Sequence, residues 1–459
     1  MKIKRIRHGA GPRRLLVLFG GWLALAGSAG WAADLQVTVS PPVAVYGRPF
    51  SLKITGLRPG EQATVKAVSK DARNILWESA AVFEADASGS VDLARQAPVS
   101  GSYGEADIFG LLWSMKPANP PSQKRVGFTD DPVNGWAVDF SVTDTANKTA
   151  AARFRCVYQM PGEGLVRLPL EKDGLCGFLY HPAEGGPFTG VIILGGSNGG
   201  LYEYLAQAFA SNGFAALTLA YFQYPNSNLP VELVEIPLEY FIRAAAWMKG
   251  QPKVAAGRLG LVGGSKGGEL ALLLASRIDE FRAVVAWTPS AYVWEGLSRK
   301  FYEPGYRPRS SWSFDGQPLP FMPFKASPED MAKGMKGELS SYVPFHRDSL
   351  LQSDPETIEK AAIPVEKIRA PILLVSGTDD QTWPAGEFCA AIVARLKKAG
   401  FAFEVKHVVH EKGGHQSFLP YVVTANRGGI SGGTPQADAR GGYRSWAETM
   451  AFLHRHLAR

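Results

Sequence analysis

"GLVGGSKGGELALLLAS", residues 260–276, sets one serine among glycines, directly after an apolar run and directly before a helical pattern. Gly263-Gly264-Ser265-Lys266-Gly267 fits G-x-S-x-G, the turn that lifts a serine hydroxyl off a strand end at the start of a helix. Glycines two before and two after the serine let neighbouring chains approach closely, and a helix starting at Lys266 aims its first amides at the same point. Five letters recur by chance, so the strand before and the helix after carry the reading. Together they predict one strand–elbow–helix unit of a parallel sheet.

The second half of the chain repeats that texture. Strand-like runs "GVIIL" (190–194), "FAALTLAY" (214–221), "RLGLVG" (258–263), "FRAVVAW" (281–287), "PILLVS" (371–376) and "FEVKHVVH" (403–410) alternate with helical stretches. Apolar strands alternating with amphipathic helices imply a parallel sheet covered on both faces. Between Trp287 and Pro371 the pattern breaks into proline, glycine and aromatic residues, densest in "FYEPGYRPRSSWSFDGQPLPFMPF" (301–324). Such a stretch forms either a cap over a site or an insertion packed on the surface. "NRGGISGGTPQADARGG" (426–442) is expected to be a mobile loop. Earlier in the chain, short segments such as "LQVTVS", "FSLKITGL" and "ATVKAV" alternate at period two between glycine and proline turns, the pattern of an antiparallel sandwich. The expected fold is therefore α/β: an α/β-hydrolase domain at 159–459, with an irregular cap-like insertion at about 288–369, preceded by an N-terminal antiparallel β-sandwich domain at 34–158.

A serine hydroxyl is a poor nucleophile until a base takes its proton, so a carboxylate and a histidine must come later in the order Ser, Asp, His. "LLVSGTDDQTWP" places Asp379 and Asp380 after one strand, and "VKHVVHEKGGHQSF" places His415 after the next. Asp380 stands three residues after Gly377, where a carboxylate clears the strand end, and Asp379 is its rival. His407 and His410 fall within the strand pattern and are expected to pack or face solvent. An oxyanion cradle usually combines the amide after the nucleophile with one from the loop after an early strand. "ILGGSNGG" (193–200) supplies that loop, with Gly196, Ser197 and Lys266 as candidates. The same glycines lack both the Lys-Ser/Thr ending of a phosphate loop and the G-x-G-x-x-G spacing of a dinucleotide site. No metal-ligand spacing occurs, and the expected chemistry needs no cofactor.

The formal charge of +7 does not indicate a nucleic-acid partner. Lys2, Lys4, Arg5, Arg7, Arg13 and Arg14 fall in residues 1–33 without an acid, and removing those six leaves +1. Together with the apolar "LLVLFGGWLALAG" and the small residues of "GSAGWAAD", they predict a signal peptide over 1–33 and export, to the periplasm, with an uncleaved anchor as the alternative. No later run is long enough to span a membrane. Cys156, Cys176 and Cys389 are too few for a disulfide scaffold. The first two flank an apparent hairpin and allow one bridge, though burial as small hydrophobes is the simpler reading. Oligomeric state is not legible.

Longer matches go beyond the motif. "WESAAVFEADASGSVDLARQAPVSGSYGEADIFGLLWSMKP" (77–117), "GPFTGVIILGGSNGGLYEYLAQAFASNGFAALTLAYF" (186–222), "LEYFIRAAAWMKG" (238–250) and "RLGLVGGSKGGELALLLAS" (258–276) resemble the acyl-CoA thioesterases and bile acid-CoA:amino acid N-acyltransferases. The resemblance implies a nucleophile, acid and base at Ser265, Asp380 and His415, and hydrolysis of acyl-CoA to free acid and CoA through an acyl-serine. Members that conjugate amino acids carry cysteine at the nucleophile position; serine here points to a hydrolase, with a small-molecule acyl thioester or ester as substrate. Familiar members act inside cells, whereas this chain carries an export leader. An acyl-CoA:amino acid N-acyltransferase, or a general exported carboxylesterase or peptidase, is the alternative enzyme, and a secreted binding protein the non-catalytic one.

Overall fold

The computed structural model describes residues 34–118, 135–170, 172, 174–301, 303–420 and 429–457. The predicted leader lies outside the described residues. The described residues of 34–157 form two packed sheets. One joins Gln36–Ser40, Ser51–Thr55 and Val91–Asp92, and the other is built around Gln62–Lys70, Leu76–Glu84, Trp136–Thr143 and Thr149–Val157. In Gln62–Lys70 every second residue is buried, from Ala63 through Val65 and Ala67 to Ser69, because successive side chains of a strand point to opposite faces. Trp77, Ser79, Ala81 and Phe83 repeat the pattern on the next strand. The pairing is antiparallel except where Val43–Val45 lies parallel to Thr149–Val157.

The remainder is organised on an eight-stranded sheet of β1 (Leu165–Leu170), β2 (Cys176–Pro182), β3 (Phe188–Leu194), β4 (Ala215–Ala220), β5 (Val254–Gly264), β6 (Phe281–Trp287), β7 (Ile372–Gly377) and β8 (Val405–His410). Their order across the sheet is β1-β2-β4-β3-β5-β6-β7-β8. Only β2 opposes its neighbours; from β4 to β8 all strands run parallel. This is the α/β-hydrolase arrangement. Helices α1 (Glu203–Ala210), α2 (Leu238–Lys249) and α3 (Lys266–Ala275) accompany the first parallel strands. The segment after β6 carries α4 (Pro328–Lys336), α5 (Val343–Gln352) and α6 (Pro355–Ala361), and the fold closes with α7 (Ala385–Lys398) and α8 (Pro435–Leu457). Both sheet faces are covered. Ile192, Leu194, Leu261 and Leu374 pack with α2, α3 and α7, whereas Val191, Ile193, Val262 and Val375 join α1, α8 and the sandwich in one continuous core.

One expectation is corrected, and two open alternatives are resolved. The glycine-rich stretch expected as a loop over 426–442 is, from Pro435, the start of α8. Its glycines serve close packing, since a Cβ at Gly442 would stand 2.2 Å from the Leu419 carbonyl oxygen and one at Gly441 would crowd His410 and Ser417. Cys156 and Cys176 lie in different sheets, and no disulfide links any of the three cysteines. The insertion after β6 is not merely surface-packed, for it walls the cavity at Ser265.

The sandwich grips α8. Tyr46 meets Trp446 edge-on at 5.3 Å, Phe109 packs on Tyr443 at the same separation, and Arg440 bonds Asp107 and Glu105, each at 2.9 Å. Gly47, with φ +86°, makes this possible, because a Cβ there would lie 1.9 Å from the Trp446 ring nitrogen. Gly47→Ala is accordingly expected to cost about 2 kcal/mol or more through overpacking and strain, read as a lower urea midpoint.

Candidate active site

In a parallel sheet the loops leaving the strand ends all emerge at one edge, so those after β3, β5, β7 and β8 converge. Ser265 sits at the tip of the elbow after β5 with φ +58° and ψ −124°, a conformation rare for a residue with a Cβ. The flanking glycines have steric reasons. A Cβ at Gly263 would stand 2.0 Å from the Gly267 carbonyl oxygen, and one at Gly267 2.3 Å from that of Leu194.

His415 Nε2 lies 2.8 Å from Ser265 Oγ, and its Nδ1 lies 2.7 Å from Asp380 Oδ2. The other Asp380 oxygen accepts the amides of Thr382 and Trp383, which fixes the carboxylate from behind. His415 is pinned through its backbone, its amide donating to the Ser431 carbonyl at 2.7 Å and its own carbonyl accepting from Thr288 Oγ1. Asp438 of α8 accepts the neighbouring Gly414 amide at 2.7 Å. Asp379 does different work: one oxygen accepts from Gln381 and the other from the Gly433 amide, tying its loop to the entry of α8. The rivalry between the two aspartates thus resolves geometrically toward Asp380.

Of the three proposed oxyanion donors, the Gly196 amide is directed to the Tyr202 hydroxyl at 3.3 Å. This corrects the expectation that it faces the substrate. Gly196 instead supplies room, since a Cβ there would come within 3.4 Å of the Ser265 side chain. Ser197 and Lys266 both line the cavity at Ser265, and Lys266 opens a helix whose first amides have no intrahelical acceptor.

That cavity, about 400 Å³, is walled by Trp294, Phe301, Phe324, Tyr342, Phe345 and Trp383. Beneath it the Lys266 side chain turns into the protein, where its ammonium donates to both Glu269 oxygens at 2.8 Å. Both groups are buried, which lowers the lysine pKa and raises that of the glutamate. Glu269 also accepts from Trp312 Nε1 and the Trp294 amide, so one carboxylate joins the elbow helix to the insertion.

The sequence matches the family described as "BAAT / Acyl-CoA thioester hydrolase C terminal" over residues 236–459 and "Acyl-CoA thioester hydrolase/BAAT N-terminal region" over 47–170. It is 30% identical to acyl-coenzyme A thioesterase 1 of Mus musculus, over 90% of this chain and 94% of that protein. The chain belongs to this thioester hydrolase/BAAT family. Mitochondrial acyl-coenzyme A thioesterase 2 of Mus musculus is 29% identical over 95% of this chain and 92% of its own length. Acyl-coenzyme A thioesterase 6 of Homo sapiens, also 29% identical, matches over 90% and 94%.

Two site residues of this thioester hydrolase family member escape a sequence reading. Glu269 is visible as a lone acid, three residues after Lys266, in an otherwise apolar helix; His346 carries no signal. Among the described residues no cluster fit for a metal ion occurs, and no helix is long and apolar enough to cross a membrane.

Burial holds His346 and His410 neutral, at pKa values of about 3 and about 4 against 6.5 when exposed. Both folded values lie below the unfolded one, so between pH 6.5 and about 4 the unfolded chain binds protons that the native state does not. Their stabilisation is complete above pH 6.5 and is lost on acidification, at up to about 1.4 kcal/mol per pH unit for each histidine. Urea unfolding at pH 7 and pH 5 is expected to show this slope, and His346→Phe to flatten it.

Proposed function

We propose that the protein hydrolyses acyl thioesters, acyl-CoA among them, to the free acid and thiol through an acyl-serine. The observation that carries the reading is the unbroken relay from Asp380 through His415 to Ser265, within a family whose curated relatives are acyl-CoA thioesterases. His415 Nε2 takes the Ser265 proton as Oγ attacks the carbonyl carbon. The amides of Ser197 and Lys266 receive the oxyanion, His415 returns the proton to the departing thiolate, and water then repeats the sequence on the acyl-serine. Serine suits hydrolysis, since its ester is attacked by amines less readily than a thioester would be. The leader at 1–33 supports export and a periplasmic enzyme, which N-terminal sequencing of secreted material tests. The purified protein is expected to take up a fluorophosphonate on Ser265 alone and to cleave an acyl-CoA faster than the aryl ester or amide of the same acyl group. Labelling elsewhere would reject the nucleophile; turnover confined to esters or amides would reject the thioester.

A further inference from the structure

His346, on α5, is a buried histidine that the relay does not use. Its ring stands edge-on to Trp294 at 4.5 Å, Phe324 at 5.4 Å and Trp383 at 5.8 Å, with interplanar angles of 80°, 88° and 84°. The Trp383 ring is also 5.8 Å from His415, so one indole stands between the two histidines. His346 lines the same cavity as Ser265.

The ring's hydrogen-bonding state is fixed. Nδ1 lies 2.8 Å from the Tyr342 carbonyl oxygen, which only accepts, so Nδ1 carries the proton and donates. In the neutral ring Nε2 is then a bare acceptor, and no donor reaches it among the described residues. An acceptor that loses its water without gaining a donor is costly, and the rings around this one offer a guest apolar and edge-to-face contacts. Ser298, Arg299 and Thr382 also line the cavity, but along its aromatic wall Nε2 is an acceptor, and a guest packed there is best matched by donating to it. The cavity's size is at the compact end for ligand sites.

Resting on the acyl-hydrolase reading, we infer that this cavity selects a compact aromatic acyl group bearing a hydroxyl, with Nε2 of His346 accepting the hydroxyl proton while the guest ring packs against the aromatic wall. An acyl group without a donor displaces water from Nε2 and leaves it unpaired; sites built to bond a substrate hydroxyl discriminate on that ground.

The test compares phenylacetyl with its 3- and 4-hydroxyphenylacetyl counterparts, each as the CoA thioester and as the p-nitrophenyl ester, using the full chain. At least one hydroxylated isomer is expected to exceed its parent about tenfold or more in kcat/KM. His346→Phe is expected to bring that ratio near one, and His346→Gln, which keeps an acceptor, to restore part of it. A wild-type ratio below about two for both isomers, or a ratio that survives in His346→Phe, overturns the inference. Should the variants fail to fold, competition by free hydroxyphenylacetic against phenylacetic acid on the wild type reads the same contrast. Turnover of the esters but not the thioesters would sink the thioesterase reading while the ester ratio still decides this one. Turnover of neither series would overturn this inference, and turnover of palmitoyl-CoA would then decide the thioesterase reading separately.

Discussion

Turnover by the Ser265→Ala protein is expected to fall about a millionfold with little change in KM, because the nucleophile and its base act as a unit. The relay distances, 2.8 and 2.7 Å, leave no neighbouring group to substitute, and Asp380→Asn is expected to cost about ten-thousandfold by presenting His415 in the wrong tautomer. Asp379→Asn provides the contrast. Its carboxylate holds Gln381 and the Gly433 amide, so its loss loosens a loop and is expected to lower stability more than kcat. Steady-state kinetics paired with urea unfolding separates the two, and equal losses of kcat at both aspartates would refute the assignment of Asp380.

The second large effect is on stability. Glu269→Ala strands the Lys266 ammonium where only 3% of the residue is exposed, and removes the acceptor of Trp312 Nε1. Breaking one side of a buried pair costs about 3 to 5 kcal/mol. The Lys266→Met, Glu269→Leu double variant is expected to recover the part of that loss due to the stranded charge, but not the part due to Trp312 Nε1 and the Trp294 amide, which still lack their acceptor. A Glu269→Ala protein with an unchanged urea midpoint would show that the pair contributes nothing. Because Glu269 also accepts the Trp294 amide, the double variant's behaviour toward bulky acyl groups reports whether the insertion keeps its place on the elbow helix.

The sheet is legible in the sequence because its strands are short apolar runs with clear breaks. Phe281–Trp287 matches the predicted bounds, and "GVIIL" needs only Phe188 and Thr189 added. Ser265, Asp380 and His415 are legible because a parallel sheet sends successive loops to one edge, so chain order stands in for position. The errors share a cause. Gly441 and Gly442 suggest conformational freedom, whereas their role is the absence of a Cβ where α8 meets the chain around Leu419. Gly196 suggests a pointing amide for the same reason. His346 has no signature to find, since α5 is short and its buried residues, Val343, Phe345, His346 and Ser349, mix apolar with polar side chains and follow no clear helical period.

The grip of the first sheets on the last helix bears on modularity. Ser445 of α8 holds His410, and Asp438 holds the amide beside His415, while Trp446 and Tyr443 are covered by rings from the sandwich. A recombinant fragment starting after Val157 would turn those rings toward water and release the far end of the imidazole's support. Shedding the leading half would require repainting that helix with polar side chains first, so the two halves are inherited together or not at all.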